Sequence, residues 1–320
     1  MRWKGDRNAL LTQVAILYYE EGLTQREVAR RLSISRSNIS RLLTEARNEG
    51  IVEIKVKRPI KVSSDLRKAL LERFALHEAM VLITGHRDFQ ESLEGLGRLA
   101  AEYLENTLKD DSILGISWGT AVYETVKALR PVARPGVQVV QMIGGMGSIN
   151  PKIDGTELAL RLGGVLSARY RYLRAPLVVE NGEVHKALLQ EREVREALGI
   201  ARRADIALVG IGSVVPAVSS LLRAGYLTMA EVRMAAEGGA VGDICAQHFD
   251  VHGHICQLEL NERVIGITLP ELMKVPCVIG VAGGVDKAPA ILGALRGGYV
   301  NVLVADDVAA QEVLRLHESA

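Results

Sequence analysis

"GLTQREVARRLSISRSNISRLL" (Gly22–Leu43) reads as two short helical phrases around a tight connection. Thr24-Gln25-Arg26-Glu27 has the capping-box pattern, in which a hydroxyl accepts from the fourth residue's amide and the glutamate reaches back. That predicts a helix from Thr24 burying Val28, Ala29 and Leu32. Ser33-Ile34 makes a short turn, and Ser35 is a good N-cap for the next helix. There Ile39, Leu42, Leu43 and Ala46 fall on one side. At about 100° per residue, Ser37, Arg41, Thr44 and Asn48 point the opposite way. Asn38 and Ser40 lie on the shoulders, and Arg36 sits in the first turn. Upstream, Leu10, Leu11, Val14, Ala15, Leu17 and Tyr18 recur at helical spacing, predicting a helix up to Glu21 that Gly22 stops. Downstream, "IVEIKVK" (51–57) alternates apolar and charged residues, as a strand pair or wing does.

Three helices, a short turn and a basic wing make a winged helix-turn-helix, whose third helix enters the major groove N-terminus first. Arginine suits guanine, asparagine suits adenine, and serine or threonine suits phosphates and base edges. The candidate residues for double-stranded operator DNA are therefore Thr24, Gln25, Ser35, Arg36, Ser37, Asn38, Ser40, Arg41 and Thr44. Charge supports this reading. Met1–Val62 holds 13 Lys and Arg against 7 Asp and Glu, a net +6, which leaves −5 on the rest of a chain whose total is +1. A basic head on an acidic body implies that the head alone meets a polyanion.

At 320 residues the chain has room for about two domains. No run of 18 or more apolar residues appears, so no membrane span is expected. "MRWKGDRNALLTQ" (1–13) has no apolar core of the kind a secretion signal needs. Cys245, Cys256 and Cys277 are odd in number and lack CxxC spacing, which argues against a disulfide framework and fits a cytoplasmic protein.

"KRPIKVSSDLRKALLERF" (57–74) carries the chain out of the head. Pro59 ends the wing, and Ser63-Ser64 cap a helix holding Leu66, Leu70, Leu71 and Phe74. Its apolar spacing leaves open whether it packs on the body or on a second subunit. The expected division is 1–62 for the DNA-binding domain and 63–320 for an effector-binding and oligomerisation domain.

Beyond Ala79 the sequence alternates. Apolar runs at 79–83, 112–117, 137–143, 206–212, 277–283 and 300–306 are separated by helical stretches, among them 93–109, 121–129, 157–166 and 287–295. Continuous apolar strands alternating with helices predict an α/β fold, a doubly wound and mostly parallel sheet covered on both faces. Such sheets bind ligands outside the carboxyl ends of their strands. Four glycine-rich junctions stand there. Gly119-Thr120 opens a helix, whose free amides attract an anion. Gly144, Gly145, Gly147 and Ser148 follow the next strand. Gly210, Gly212 and Ser213 follow another. Gly283 and Gly284 precede Asp286 and Lys287. Together they point to an anion-bearing small ligand; none has the GxxxxGK[ST] pattern of a nucleotide P-loop. In "EGGAVGDICAQHFDVHGH" (237–254), Asp243 could hold sugar hydroxyls. His248, Asp250, His252 and His254 lack the helical i, i+4 histidine pair of a metalloprotease, so neither metal nor cofactor is expected.

With both halves read, the chain resembles the SorC family of bacterial sugar-binding transcriptional regulators over nearly its whole length. The segments that carry the likeness are "LTQREVARRLSISRSNISRLLTEARNEGIVEI", "GISWGTAVYETV", "VVQMIGGMGS", "RAPLVV", "ALVGIGS", "GAVGDICAQHFDVHG" and "GVAGGVDKAPAILGALRGGYVNVLVAD". The resemblance implies a phosphosugar isomerase-like body reused as a sensor, a sugar or sugar-phosphate effector, and a homo-oligomer, usually a tetramer. It implies that Gly119-Thr120 and Lys287 attend the phosphate, that Asp243 meets hydroxyls, and that Gly144, Gly145, Gly147, Ser148, Gly212 and Ser213 line the same cleft. One departure is that Thr120 is followed by Ala121, where phosphosugar binders often carry a second hydroxyl residue.

The leading reading is thus a non-enzymatic regulator whose operator affinity follows its effector. The alternative is a sugar-phosphate isomerase or deaminase with an added head, using Asp243 as base and His248 or His252 as acid.

Overall fold

The computed structural model describes residues 7–52, 59–145 and 151–319. The chain separates into two compact units, one through Pro59 and one from Ile60.

The head contains α1 (Arg7–Ala15), α2 (Gln25–Leu32) and α3 (Arg36–Asn48). The first helix does not run regularly to Glu21. It widens into a π turn over Ile16–Glu20, and Gly22 follows at φ 69°. This turn keeps Leu17 buried while Tyr19 stands exposed. The capping box at Thr24 is complete, and Ser33 closes α2 in the left-handed region at φ 54°. Leu11, Val14, Leu17, Val28, Ile39, Leu42, Leu43 and Ala46 form the head's core. Most of the expected wing, 53–58, lies outside the described residues.

In the body, α4 (Ser64–Arg73) is capped by the Ser63 hydroxyl and leads to β1 (Glu78–Leu82) and α5 (Phe89–Thr107). Then come β2 (Ile113–Ile116), α6 (Thr120–Ala128), β3 (Gln138–Gln141), α7 (Gly155–Leu166) and β4 (Arg169–Arg171). Helices α8 (Gly182–Gln190) and α9 (Arg192–Ala201) precede β5 (Ile206–Gly210). A short α10 (Ser220–Arg223) and α11 (Met229–Glu237) lead to the hairpin of β6 (Gly242–Ile244) and β7 (Gln247–Phe249). Two further short helices, α12 (Glu259–Glu262) and α13 (Leu269–Leu272), precede β8 (Cys277–Val281). The chain continues through α14 (Ala288–Arg296) and β9 (Val302–Asp306) into α15 (Asp307–Glu318).

Seven strands form one parallel sheet in the order β1-β9-β8-β5-β2-β3-β4. Successive residues of a strand feed opposite cores: Leu208 and Val139 one face, Val209 and Val140 the other. Two buried faces explain why these strands read as unbroken apolar runs. Each fully buried leucine or valine contributes about 1.5–3 kcal/mol relative to exposure.

The connector belongs to the body. Ser63 N–H donates to Val81 O and Ile83 N–H to Lys61 O, both at 2.8 Å, with Val62 paired antiparallel to Leu82. That pairing places the division three residues before the expected Val62. Leu70 is fully buried in the body's core and Leu66, Leu71 and Phe74 pack against it, so α4 lies on the body.

Candidate functional site

The head presents a polar helix face. On α3, Arg36, Ser37, Asn38, Ser40, Arg41 and Thr44 are exposed, while Ile39, Leu42, Leu43 and Ala46 are buried. Ser35 is also exposed and caps the helix, its hydroxyl accepting from Asn38 N–H at 3.3 Å and lying 3.1 Å from Ser37 Oγ. Thr44 turns its hydroxyl back onto Ser40 O. Arg36 and Arg41 make no hydrogen bond or ion pair among the described residues, in contrast to Arg31, which pairs with Glu21, and Arg7, which pairs with Glu45. Guanidiniums without a hydrogen-bonded partner, Arg41 feeling only the nearby charge of Glu45, suit an external anion. Thr24 is exposed and Gln25 half-buried at the start of α2.

In the body the strand order reverses between β2 and β5: the chain goes from β2 to β3 and β4 on one side, then returns to β5 on the other. The loops after β2 and β5 diverge there, and a cleft opens where a doubly wound sheet is expected to have one. A small cleft lies between Ser117, Trp118, Gly119, Thr120 and Ala121 on one wall and Gly210, Ile211 and Gly212 on the other. Ser220, Asp243, Cys245, Val281 and Lys287 complete it. Five of the expected effector residues therefore meet: Gly119, Thr120, Gly212, Asp243 and Lys287.

Gly119 sits at φ 117°, a conformation open to glycine, and starts α6 without a side-chain cap. The first amides of α6 thus have no intrahelical acceptor. Lys287 rises from the turn before α14, and its Nζ donates to Ile211 O at 2.7 Å. Burial brings its amine down to about 8, with Asp243 opposing the shift and Arg223 adding to it. Asp243 is nearly buried, on the β6–β7 hairpin. Burial pushes its carboxyl up, against the pull of His248, Lys287 and the Ala246 amide. That amide is aimed by a two-residue turn in which Cys245 (φ 54°) and Ala246 (φ 60°) both occupy the left-handed region, as a type I′ turn requires. Neither residue is a glycine, so the turn stores strain beside the cleft. The Cys245 thiol is pushed up to about 12 by burial and by Asp243, so it stays neutral. The cleft thus brings a lysine, a helix start and an acidic side chain around one space.

The remaining expected residues stand elsewhere. Ser213 is buried behind the cleft: its hydroxyl donates to Asp286 O at 3.3 Å and accepts from Val215 N–H. It thereby steadies the turn that carries Lys287. Gly144 and Gly145 do not line the cleft. Their amides donate to Ile265 O and Ala175 O, and a Cβ on Gly144 would lie 2.3 Å from Pro176 O, so close backbone packing accounts for Gly144, whereas a Cβ on Gly145 would meet only ordinary contacts. Gly147 and Ser148 lie outside the described residues. His248 is buried opposite Asp243 with its ring on Asn261, and Asp250 holds the amides of His252 and His254; none of these histidines lines the cleft. Sequence reasoning missed Ser117, Trp118, Ser220 and Cys245. Ser117 and Trp118 directly precede Gly119, a signal available in the sequence; Ser220 and Cys245 arrive through tertiary folding alone.

A DNA-reading head joined to a ligand cleft at a sheet's switch point defines a ligand-controlled DNA-binding protein. Comparison with known proteins agrees. Residues 58–315 match the family described as "Putative sugar-binding domain", and residues 11–49 match sigma-70 region 4. The chain is 34% identical to the deoxyribonucleoside regulator of Bacillus subtilis (strain 168), covering 97% of this chain and 98% of that one. It is 31% identical to the sorbitol operon regulator of Klebsiella pneumoniae, covering 97% and 99%. The crystal structure of the full-length sorbitol operon regulator SorC from Klebsiella pneumoniae superposes with a TM-score of 0.73 over 97% of this chain and 100% of that one, at 31% identity. The chain belongs to the SorC family of sugar-binding transcriptional regulators. It is a DNA-binding regulator that responds to a sugar. Among the described residues no helix is long and apolar enough to cross a membrane.

Proposed function

We propose that this protein is a non-enzymatic, cytoplasmic regulator that binds operator DNA through α3 and is controlled by a phosphorylated sugar in the β2/β5 cleft. The observation that carries the ligand class is the meeting of Lys287, the uncapped start of α6 and Asp243 around one small space. A phosphate would take the lysine and the helix amides, which carry complementary charge. Hydroxyls would go to Asp243, whose acceptor oxygens suit vicinal diols.

The DNA surface is Arg36, Ser37, Asn38, Ser40, Arg41 and Thr44, with Ser35, Thr24 and Gln25 at the helix starts. A symmetric homo-oligomer, a tetramer by family likeness, would read repeated half-sites. Control requires that the effector bind two arrangements of the protein with different affinity, because equal affinity shifts nothing.

The test is a thermal-shift screen of free and phosphorylated sugars, each hit then added to a titration of the protein with duplex DNA from its own upstream region. The reading requires that a phosphorylated sugar raise the melting temperature and change duplex affinity. Catalytic turnover of a sugar phosphate would overturn its non-enzymatic part, and a hit that leaves DNA binding unchanged would overturn the control.

A further inference from the structure

The turn that carries Lys287 is tied to the connector by a short run of hydrogen bonds through the start of α15. Asp306, the last residue of β9, uses its two carboxylate oxygens in different directions. Oδ1 accepts from Ala309 N–H at 2.8 Å and caps α15. Oδ2 accepts from Gly284 N–H at 2.7 Å, at the head of the Lys287 turn. A Cβ on Gly283 would lie 2.4 Å from that oxygen, so the approach depends on a glycine there. The next residue reaches the other way: Asp307 Oδ1 accepts from Thr84 N–H at 3.1 Å and Thr84 Oγ1–H at 2.7 Å. Thr84 directly follows Ile83, whose amide holds Lys61 O, and Val81 O holds the Ser63 amide. Capping α15 needs only one carboxylate oxygen. The other three bonds do nothing for that helix; they join a cleft turn to a connector.

We propose that Asp306, Asp307 and Thr84 are positioning residues that carry the state of the effector cleft to the Lys61–Ser63 connector. This rests on the β2/β5 cleft being the effector site. An anion that draws Lys287 from Ile211 O pulls on the turn whose first amide Asp306 holds. Movement there reaches the start of α15, then Thr84, then the strand pairing that anchors the connector. A hydrogen-bonded run of this kind transmits only if its members move together, which is a measurable property.

Hydrogen–deuterium exchange on the full chain measures it without an effector or DNA. Asp306→Asn keeps an acceptor for Ala309, and asparagine caps as well as aspartate, but its amide cannot also accept from Gly284. It should speed exchange of Ser63 and Ile83 about tenfold, the effect of losing one bond of this kind in a local opening. Thr84→Val removes the hydroxyl at the far end and should loosen the Gly284–Lys287 turn by a similar factor, while Thr84→Ser should restore it. Segments 138–141 and 158–166 should exchange as in the parent chain. Purely local effects, with Thr84→Val leaving 284–287 untouched or Asp306→Asn leaving 60–63 untouched, would overturn the proposal. A uniform rise across the body would do the same, because it would report general destabilisation.

Discussion

Gly212→Ala should disorganise the cleft through one contact. A Cβ at this position would lie 1.9 Å from Asp243 Oδ1 and 2.7 Å from its Cγ, and real Cβ contacts essentially never fall under 3.0 Å. The carboxylate would have to move by about 1.1 Å or more, and it is buried and held by the Ala246 amide. Gly212 is not in the left-handed region, so the penalty is steric and not conformational. Overpacking of this kind costs about 1–3 kcal/mol. For a body of this size that corresponds to about 2–12 °C in melting temperature, at roughly 2–4 °C per kcal/mol. Gly210→Ala, two residues earlier, is the control: its Cβ would meet Trp118 O at 3.6 Å, an ordinary contact, and should melt within a degree or two (about 0.5 kcal/mol) of the parent. The assay is thermal unfolding of the full chain, completed as a cycle with Asp243→Ala. Removing the carboxylate removes the clash, so the double variant should be more stable than the two single effects added together predict, by about 1–2 kcal/mol. Additive effects, or a Gly212→Ala chain that melts like Gly210→Ala, would refute the packing argument and with it the fixed position of Asp243.

Arg41→Ala should weaken duplex binding by about tenfold or more, the loss expected for one base or phosphate contact, and leave ligand-induced thermal shifts intact; equal loss of both would show that the two units do not divide the labour. Ser35→Ala removes the acceptor for Asn38 N–H and should cost α3 about 1 kcal/mol, read as faster amide exchange over Arg36–Asn38, whereas unchanged exchange would show that the cap is idle. Lys287 should impose a pH signature. Between about 8, where the folded amine releases its proton, and its ordinary 10.5, the unfolded chain holds more protons than the folded one. Stability should therefore rise with pH across that window, and Lys287→Met should abolish the rise. In the same chain, affinity for a phosphorylated sugar should weaken as pH climbs through about 8, since the anion needs the ammonium form; a flat profile would remove Lys287 from the phosphate site.

The parts of this fold that were legible in the sequence are those whose cause is local. Six of the seven sheet strands announce themselves because burial on both faces forces apolar residues at consecutive positions. The seventh, Arg169-Tyr170-Arg171, sits at the sheet's edge with none of its three residues buried, unlike the other edge strand β1, and its composition shows no such demand. The head was legible for the same reason: Thr24 and Ser35 cap helices within four residues of themselves. The cleft divides along this line. Gly119-Thr120 and Lys287 stand at strand-to-helix junctions, which a reader can locate from the alternation alone. Gly144 stands at a similar junction yet serves packing against Pro176, because a glycine written for backbone approach and one written for a ligand look alike in a sequence. Asp243 was legible as a polar residue and not as a strand residue. Its hairpin has three-residue strands and a turn built from Cys245 and Ala246, neither of which signals a positive φ. What fixes that turn is the body packed around it: Phe249 and Ile244 are fully buried, Gly242 fits against Ala290, and Gly212 leaves room for the carboxylate. The strain is therefore held by tertiary contacts from two distant segments, and the residue placed by that strain is the one the ligand reading depends on.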